Sequence, residues 1–255
     1  MDLGLAGRTY LVTGASRGLG YATAEHLVAD GADLVIASRS QASVDEAAST
    51  LTANGPGQAV GLAADLADED AARRLLAAAE EHFGRLDGVV ISVGGPPATS
   101  ATDATDEQWR SAFESVFLGA VRLARTALEH ARSPISVTFV LSTSVRSPIP
   151  GLGISNGLRP GLAMVAKTLA DEHGPQGHRV NVVLPGRIET DRLQELESAA
   201  SDPAAVREQA LAAIPLGRYG QPEEFGAVVA FVASPMASYL SGSVVTVDGG
   251  ATRTL

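Results

Sequence analysis

The sequence predicts an α/β fold: a doubly wound sheet of about seven parallel strands with helices on both faces. Two observations predict it. Short apolar runs alternate with longer helical stretches along the chain, and seven of the apolar runs have the length of strands. Strands that are separated by helices form parallel sheets covered on both sides. The chain has 255 residues and shows no linker or internal repeat, so we expect a single domain over residues 1–255.

The first half of the chain contains three predicted strand–helix units. The strands are expected at residues 8–13, 33–38 and 59–63, and the helices at 18–30, 41–53 and 68–83. Gly31 stops the first helix, and the NGPG sequence at 54–57 breaks the second. Three acidic residues at 68–70 are expected in the first turn of the third helix, where the helix dipole favours them.

The same alternation continues in the second half. Strands are expected at 86–91, 136–141, 179–183 and 243–247, and helices at 106–131, 154–172 and 221–233. Residues 190–213 form a polar, helical excursion between the sixth strand and the last helix. The whole stretch 187–215 is too long for a simple connection, so we expect it to fold as a helical lid.

Composition and charge exclude several classes of function. The chain has 19 Lys+Arg, 29 Asp+Glu and a formal net charge of −10. This balance argues against binding to nucleic acid or to anionic membranes, which both need a basic face. The chain contains no cysteine, which excludes disulfides, thiolate metal sites and a cysteine nucleophile. The five histidines show no metal-ligand spacing, so we expect no metal site.

The sequence has the features of neither a membrane protein nor an exported one. No stretch approaches the ~18 apolar residues of a membrane-spanning helix. The first residues lack the basic region, apolar core and cleavage site of a signal peptide. We therefore expect a cytoplasmic protein.

A glycine-rich loop joins the first predicted strand to the first helix. Residues 13–20 read TGASRGLG. Gly14 and Gly18 allow a tight turn and close approach of a ligand, and Gly20 allows the helix to pack closely on the sheet. The N-terminus of the helix then offers free N–H groups and a positive dipole end to a diphosphate. The position between a strand and a helix makes a dinucleotide-binding, Rossmann-like loop the favoured interpretation over a plain glycine turn.

These residues resemble the TGxxxGxG signature of the short-chain dehydrogenase/reductase family. The resemblance extends along the chain through Asp65-Leu66, through Pro185-Gly186 with Thr190, and through the segments at 214–224 and 239–250, which are similar to 3-oxoacyl-[acyl carrier protein] reductases. It implies a nicotinamide cofactor that binds at Gly14, Ser16, Arg17, Gly18, Leu19, Gly20, Ser38, Arg39, Asp65, Leu66, Ser92, Gly94, Arg159, Pro185, Gly186, Ile188 and Thr190.

The end of the second strand indicates which nicotinamide cofactor is bound. Enzymes that use NAD carry an acid there, which holds the ribose 2′-hydroxyl. This chain reads Ser38-Arg39-Ser40, with no acid. Arg39, together with Arg17 in the glycine loop, is suited to a 2′-phosphate instead. We expect NADP(H) to be preferred over NAD(H), the alternative being two solvated arginines.

The catalytic residues that the resemblance implies are largely replaced. Members of the family use a Ser, a Tyr thirteen residues later, a Lys four residues after that, and an Asn on the preceding long helix. With the same spacing this chain has Ser142, Ser155 and Arg159, and the Asn position falls at Val116. A Ser hydroxyl is a far weaker acid than a Tyr phenol, and an Arg keeps its proton. Ser142, Ser155 and Arg159 are nevertheless the candidate catalytic residues.

Three hypotheses remain open at this point. The first is a divergent oxidoreductase that acts on a carbonyl or alcohol and takes its proton from water, from the substrate, or from Glu189 or Arg187. The second is a non-redox enzyme on the same scaffold, and the third is a protein that binds NADP without turnover.

The walls of the predicted site and the long helices indicate the partners. Small and aliphatic residues in the lid and in the GGPPATS segment at 94–100 favour a small, apolar or acyl substrate. The helices at 106–131 and 154–172 carry more apolar residues than one sheet face needs. In the family these helices pair across a dimer axis and the last strand builds a second interface, so the resemblance implies a homodimer or homotetramer.

Overall fold

The computed structural model describes residues 2–198 and 202–254. Its strands form one seven-stranded sheet in the order β3-β2-β1-β4-β5-β6-β7, with every neighbouring pair parallel. They run β1 Thr9–Thr13, β2 Asp33–Ser38, β3 Ala59–Ala63, β4 Gly88–Ser92, β5 Ser136–Val140, β6 Arg179–Pro185 and β7 Val244–Val247. The predicted α/β fold with seven parallel strands is confirmed.

Helices cover both faces of this sheet. They run α1 Gly18–Ala29, α2 Gln41–Asn54, α3 Ala71–Phe83, α4 Asp106–Ala112, α5 Gly119–His130, α6 Gly153–His173, α7 Asp191–Ser198, α8 Pro203–Ala213 and α9 Pro222–Ala233. One apolar core lies between the sheet and α3, α5 and α6, and includes Leu75, Leu123 and Leu162. The other lies between the sheet and α1, α2 and α9, and includes Leu27 and Phe225. Strands buried on both faces account for the nearly continuous apolar runs.

Two helical predictions need correction. Helix α3 begins at Ala71, so the acids at 68–70 precede the helix and none lies in its first turn. Residues 106–131 do not form one regular helix, because Phe113–Leu118 adopt a π-helical turn between α4 and α5. The predicted excursion at 190–213 contains the two helices α7 and α8, and its residues 199–201 lie outside the described residues.

The parallel arrangement places every strand-to-helix loop at one edge of the sheet. The glycine loop after β1, the segment after β4, the turn after β5 and the lid after β6 therefore gather at the carboxyl ends of the strands. In open α/β sheets this edge is where ligands bind. Across residues 2–198 and 202–254, no helix is both long enough and apolar enough to cross a membrane.

Candidate active site

The glycine loop has the close packing that its sequence predicts. A Cβ at Gly14 would lie 2.6 Å from the carbonyl oxygen of Ser92, and a Cβ at Gly20 would lie 2.3 Å from the carbonyl oxygen of Gly14. Gly14 and Gly18 both have a φ of +61°, which other residues rarely adopt. Glycine is therefore required at 14 and 20 by the fold itself.

The start of α1 fits an anionic group. Arg17 precedes the helix and makes no side-chain capping hydrogen bond, and no acidic residue occupies the first turn. The first N–H groups of the helix are thus left for a ligand, with the positive end of the dipole behind them. A Cβ at Gly18 would have only Thr190 Cγ2 nearby, at 3.9 Å, so the space over the loop is open. These features suit a diphosphate.

The end of β2 carries Ser38 and Arg39, the two residues that are predicted to distinguish NADP(H) from NAD(H). Ser38 donates its hydroxyl proton to the carbonyl of Ser40, 3.2 Å away, and Arg39 is exposed. Arg17, the other predicted phosphate ligand, forms an ion pair with Asp191 of the lid at 3.2 Å. Both partners of that pair are mostly exposed, so its contribution is small and a phosphate could replace it.

The Asp65-Leu66 segment is anchored by the helix that follows the π-helical turn. A Cβ at Gly119 would lie 2.3 Å from the carbonyl oxygen of Leu66, so only glycine permits this approach. Arg122 donates to the same carbonyl at 3.2 Å. Asp65 accepts from the N–H of Ala67 at 3.0 Å. The segment is held half-buried beside the end of β3, one strand away from β2.

Two more segments complete the predicted cofactor site. Ser92 ends β4, and Thr13 both donates to its carbonyl at 2.8 Å and accepts from its N–H at 3.0 Å. A Cβ at Gly94 would meet no atom within 4 Å. The structure places the remaining residues in the glycine loop and at the end of β6, with Ser16, Leu19, Pro185, Gly186 and Thr190 half-buried and Ile188 buried.

Ser142, Ser155 and Arg159 come together at the end of β5. Arg159 and Ser155 lie one turn apart on α6, and Arg159 Nε donates to Ser155 Oγ at 3.2 Å. Arg159 Nη1 donates to the carbonyl oxygen of Leu141 at 3.0 Å and to that of Val140 at 3.4 Å. Ser142 follows directly, and its Oγ accepts from the N–H of Ser144 at 3.1 Å. The guanidinium is therefore held against the backbone that leads into Ser142.

Burial changes the character of Arg159. The residue is 5% exposed, and burial lowers its pKa to about 10. It remains a cation at neutral pH and has no carboxylate partner among the described residues. Ser155, also 5% exposed, supplies a hydroxyl but no ionisable group. The cluster can orient and stabilise an oxygen, but it is a poor source of protons.

Val116 lies inside the π-helical turn and is 4% exposed. Its side chain has no polar atom and cannot relay a proton. Turns of this kind are often found at functional sites. The π-helical turn forms here although Val116 replaces the Asn that the family resemblance implies at position 116.

The lid holds its own ion-pair network. Glu197 is 8% exposed and lies 3.5 Å from both Arg187 Nη1 and Arg207 Nη1. Tyr219 donates to Glu197, and Arg207, whose guanidinium lies 4.5 Å above the Tyr219 ring, also pairs with Glu189. Burial, followed by the hydrogen bond to Glu197, raises the pKa of Tyr219. Arg187 and Glu189, the suggested replacement proton donors, are thus both engaged in lid ion pairs.

The lid contacts the second wall of the predicted site, which is the GGPPATS segment at 94–100. Arg192 Nη2, on α7, donates to the carbonyl oxygen of Pro96 at 3.0 Å. The second wall is tied in turn to α6, because the N–H of Gly153 donates to the carbonyl of Thr99 at 2.8 Å. A surface depression of about 350 Å³ lies outside this region, beside Trp109 and Phe113. Within residues 2–198 and 202–254, no group of three potential ligands could hold a metal ion.

Comparison with known proteins identifies the family. The family model described as enoyl-(acyl carrier protein) reductase matches residues 14–252. The chain belongs to the short-chain dehydrogenase/reductase family. An L-fucose dehydrogenase of Oryctolagus cuniculus is 36% identical over 249 residues, which cover 96% of this chain and 85% of the relative. The 3-oxoacyl-[acyl-carrier-protein] reductase FabG of Pseudomonas aeruginosa is 33% identical over 250 residues, covering 97% of this chain and 98% of that one.

A solved short-chain reductase has the same fold. The crystal structure of L-sorbose reductase from Gluconobacter frateurii, complexed with NADPH and L-sorbose, superposes with a TM-score of 0.92 at 30% identity and covers 100% of both chains. The predicted family resemblance is confirmed. Because these relatives are dehydrogenases and reductases, the comparisons support an NAD(P)-dependent oxidoreductase and do not favour the non-redox or non-catalytic alternatives.

Several residues that shape this site were not singled out from the sequence. Asn156 accepts from the N–H of Ile149 at 3.0 Å and donates to its carbonyl at 2.8 Å, which fixes the loop between Ser142 and Ser155. Arg122 and Arg192 likewise hold neighbouring segments in place, because they donate hydrogen bonds to the carbonyl oxygens of Leu66 and Pro96. An Asn immediately after a predicted catalytic position was the one available signal, whereas the two arginines resemble any helix-surface arginine.

Proposed function

We propose that this protein is an NADP(H)-dependent oxidoreductase that transfers hydride to or from a carbonyl or alcohol of a small, apolar or acyl substrate. One observation carries the proposal. The uncapped start of α1, with its glycine loop, lies at the same sheet edge as the buried cluster of Ser155 and Arg159. The proposed dinucleotide site and the proposed reaction site therefore lie at the same edge of the sheet.

Each residue of the cluster has a proposed role. When bound, NADP(H) supplies or accepts the hydride. The Ser142 hydroxyl orients the reacting oxygen of the substrate. Arg159 keeps a fixed positive charge at the reaction site, on the backbone that leads into Ser142. Because Ser155 is too weak an acid, the proton exchanged with the oxygen comes from water or from the substrate itself.

The choice of NADP(H) rests on the end of β2. Arg39 is exposed and stands where an acid would otherwise hold the ribose 2′-hydroxyl. A guanidinium pairs with a phosphate through two parallel hydrogen bonds. The L-sorbose reductase that shares this fold is itself an NADPH complex. The single-domain organisation and the cytoplasmic location expected from the sequence remain part of this proposal.

A cofactor titration and an activity assay test the proposal together. NADPH and NADH are titrated into the protein with fluorescence detection, and NADPH oxidation is then followed against a panel of ketones, 2-oxo acids and 3-oxoacyl thioesters. We expect tight NADPH binding, weaker NADH binding, and slow turnover on generic ketones. A protein that binds neither cofactor at millimolar concentration would refute the proposal.

We also propose self-association to a homodimer or homotetramer. The resemblance implies interfaces along the α4–α6 face and the last strand. On the first surface Phe113 is 42% and Met164 68% exposed, and near the last strand Tyr239 is fully exposed. Large apolar side chains in such positions are typical of interfaces. Light scattering at micromolar concentration gives the test, and a monomer would contradict it.

A further inference from the structure

Arg159 is a buried cation that has no carboxylate partner among the residues the structure describes. Only 5% of the residue is exposed, and burial is the one cause of its lowered pKa. No carboxylate in the part of the chain that the structure describes therefore lies close enough to offset its charge. Buried charges in proteins are ordinarily paired, because removing an ion from water without compensation is costly.

The hydrogen bonds of the guanidinium leave one end free. Nε donates to Ser155, and Nη1 donates to the carbonyl oxygens of Val140 and Leu141. Nη2 has no hydrogen-bond partner within residues 2–198 and 202–254. In those ranges, the fully buried side-chain atoms that lack a hydrogen-bond partner are Thr138 Oγ1 and Ser144 Oγ. Nη2 is not one of these atoms, so it is accessible to solvent. The protein fixes the plane of the guanidinium and leaves two N–H groups for a ligand.

Neither the described part of the chain nor the part of the cofactor expected at this cluster supplies a negative charge to balance Arg159. The family pattern places a Tyr one turn before the cation, and a phenol beside a cation can ionise. Ser155 replaces it here, and a Ser hydroxyl stays neutral. The ribose of a nicotinamide nucleotide offers only neutral hydroxyls. The site consequently keeps a permanent positive charge, which a substrate must balance.

We propose that Arg159 and Ser155 bind a carboxylate carried by the substrate. One carboxylate oxygen accepts from Arg159 Nη2, and the other accepts the proton of the Ser155 hydroxyl, whose oxygen already accepts from Nε. The bond from Arg159 is charge-assisted, and together with the Ser155 hydroxyl it binds both oxygens of a planar carboxylate. Ser142 follows the backbone that holds the guanidinium, so the reacting carbon lies near the carboxylate. This inference rests on the proposed function and narrows its substrate class to oxo or hydroxy acids.

Binding of simple acids to the cofactor-free protein tests the inference. Pyruvate and benzoate are compared with pyruvamide and benzamide by calorimetry and by thermal unfolding in low-salt buffer. We expect the acids to bind at least about tenfold more tightly than the amides. Arg159→Met should weaken acid binding about tenfold to a hundredfold, because it removes a charged hydrogen-bond partner. Ser144→Ala and Arg125→Ala serve as matched controls, one a nearby hydroxyl and one an exposed arginine on α5, and should leave it unchanged.

Equal binding of acids and amides, or undiminished acid binding by Arg159→Met, would overturn the inference. The acid–amide comparison on the unmodified protein decides the question even where a variant does not fold. NADPH binding is measured on the same samples to separate the two proposals. NADPH binding without acid selectivity refutes the carboxylate site alone, and acid selectivity without nucleotide binding refutes the proposed function alone.

Discussion

Replacing Arg159 by Met is expected to stabilise the ligand-free protein. Burial lowers the pKa of Arg159 to about 10, more than two pKa units below the ordinary value of a guanidinium. Each tenfold change in that equilibrium corresponds to about 1.4 kcal/mol, so holding the charge in this site costs about 3 kcal/mol. Losing the hydrogen bonds to Ser155, Val140 and Leu141 offsets about 2 kcal/mol of this. Met has a similar length and adds apolar burial, which leaves a net stabilisation of about 1–2 kcal/mol.

Thermal and urea unfolding at a fixed protein concentration measure this effect. For a chain of this size, 1–2 kcal/mol corresponds to a rise in Tm of about 2–8 °C. The folded-state pKa lies below the unfolded one, so the cost of the charge is fully present below about pH 10 and is relieved only as the pH rises through it. The gain should therefore stay constant between about pH 6 and pH 9. A clear loss of stability in Arg159→Met would show that the fold already compensates the guanidinium, and the reasoning would fail.

Three further outcomes are expected. Arg39→Asp should lower NADPH affinity about tenfold or more and flatten or reverse the preference over NADH, measured by titration; equal affinities in the unmodified protein would contradict the role of Arg39. Asn156→Ala should destabilise the protein by about 1–2 kcal/mol in urea unfolding, since it removes two hydrogen bonds to the loop at Ile149, and unchanged stability would show that the loop is held otherwise. The combined change Ser155→Tyr with Arg159→Lys should raise NADPH-dependent reduction of generic ketones, by up to the 10²–10⁴-fold that general acid catalysis typically contributes, and activity that stays flat would argue against the assigned positions.

The sheet and the glycine loop could be predicted because their signals are local. Each strand is a short apolar run between helices, and Gly14 and Gly20 stand where the backbone of a neighbouring segment leaves no room for a side chain. The start of helix α3 was predicted wrongly. The acids at 68–70 carry the composition of a first turn, yet α3 begins only at Ala71.

The rest of the site depends on contacts between distant segments. The π-helical turn at Phe113–Leu118 has no sequence signature, since neither proline nor glycine interrupts those residues. The ion pair between Arg17 and Asp191 joins residues 174 positions apart. Nothing in the sequence around Glu197 indicates that its carboxylate is buried within the lid. Such long-range pairs follow from the completed fold and not from local pattern.

The crystal structure of the complex with NADPH tests the central claim most directly. The account predicts the diphosphate on the free N–H groups at the start of α1 and the 2′-phosphate against Arg39. It also predicts the nicotinamide at the sheet edge beside Ser142 and the Ser155–Arg159 pair. A nucleotide bound elsewhere, or a nicotinamide ring remote from that pair, would contradict the claim that this edge is an oxidoreductase active site.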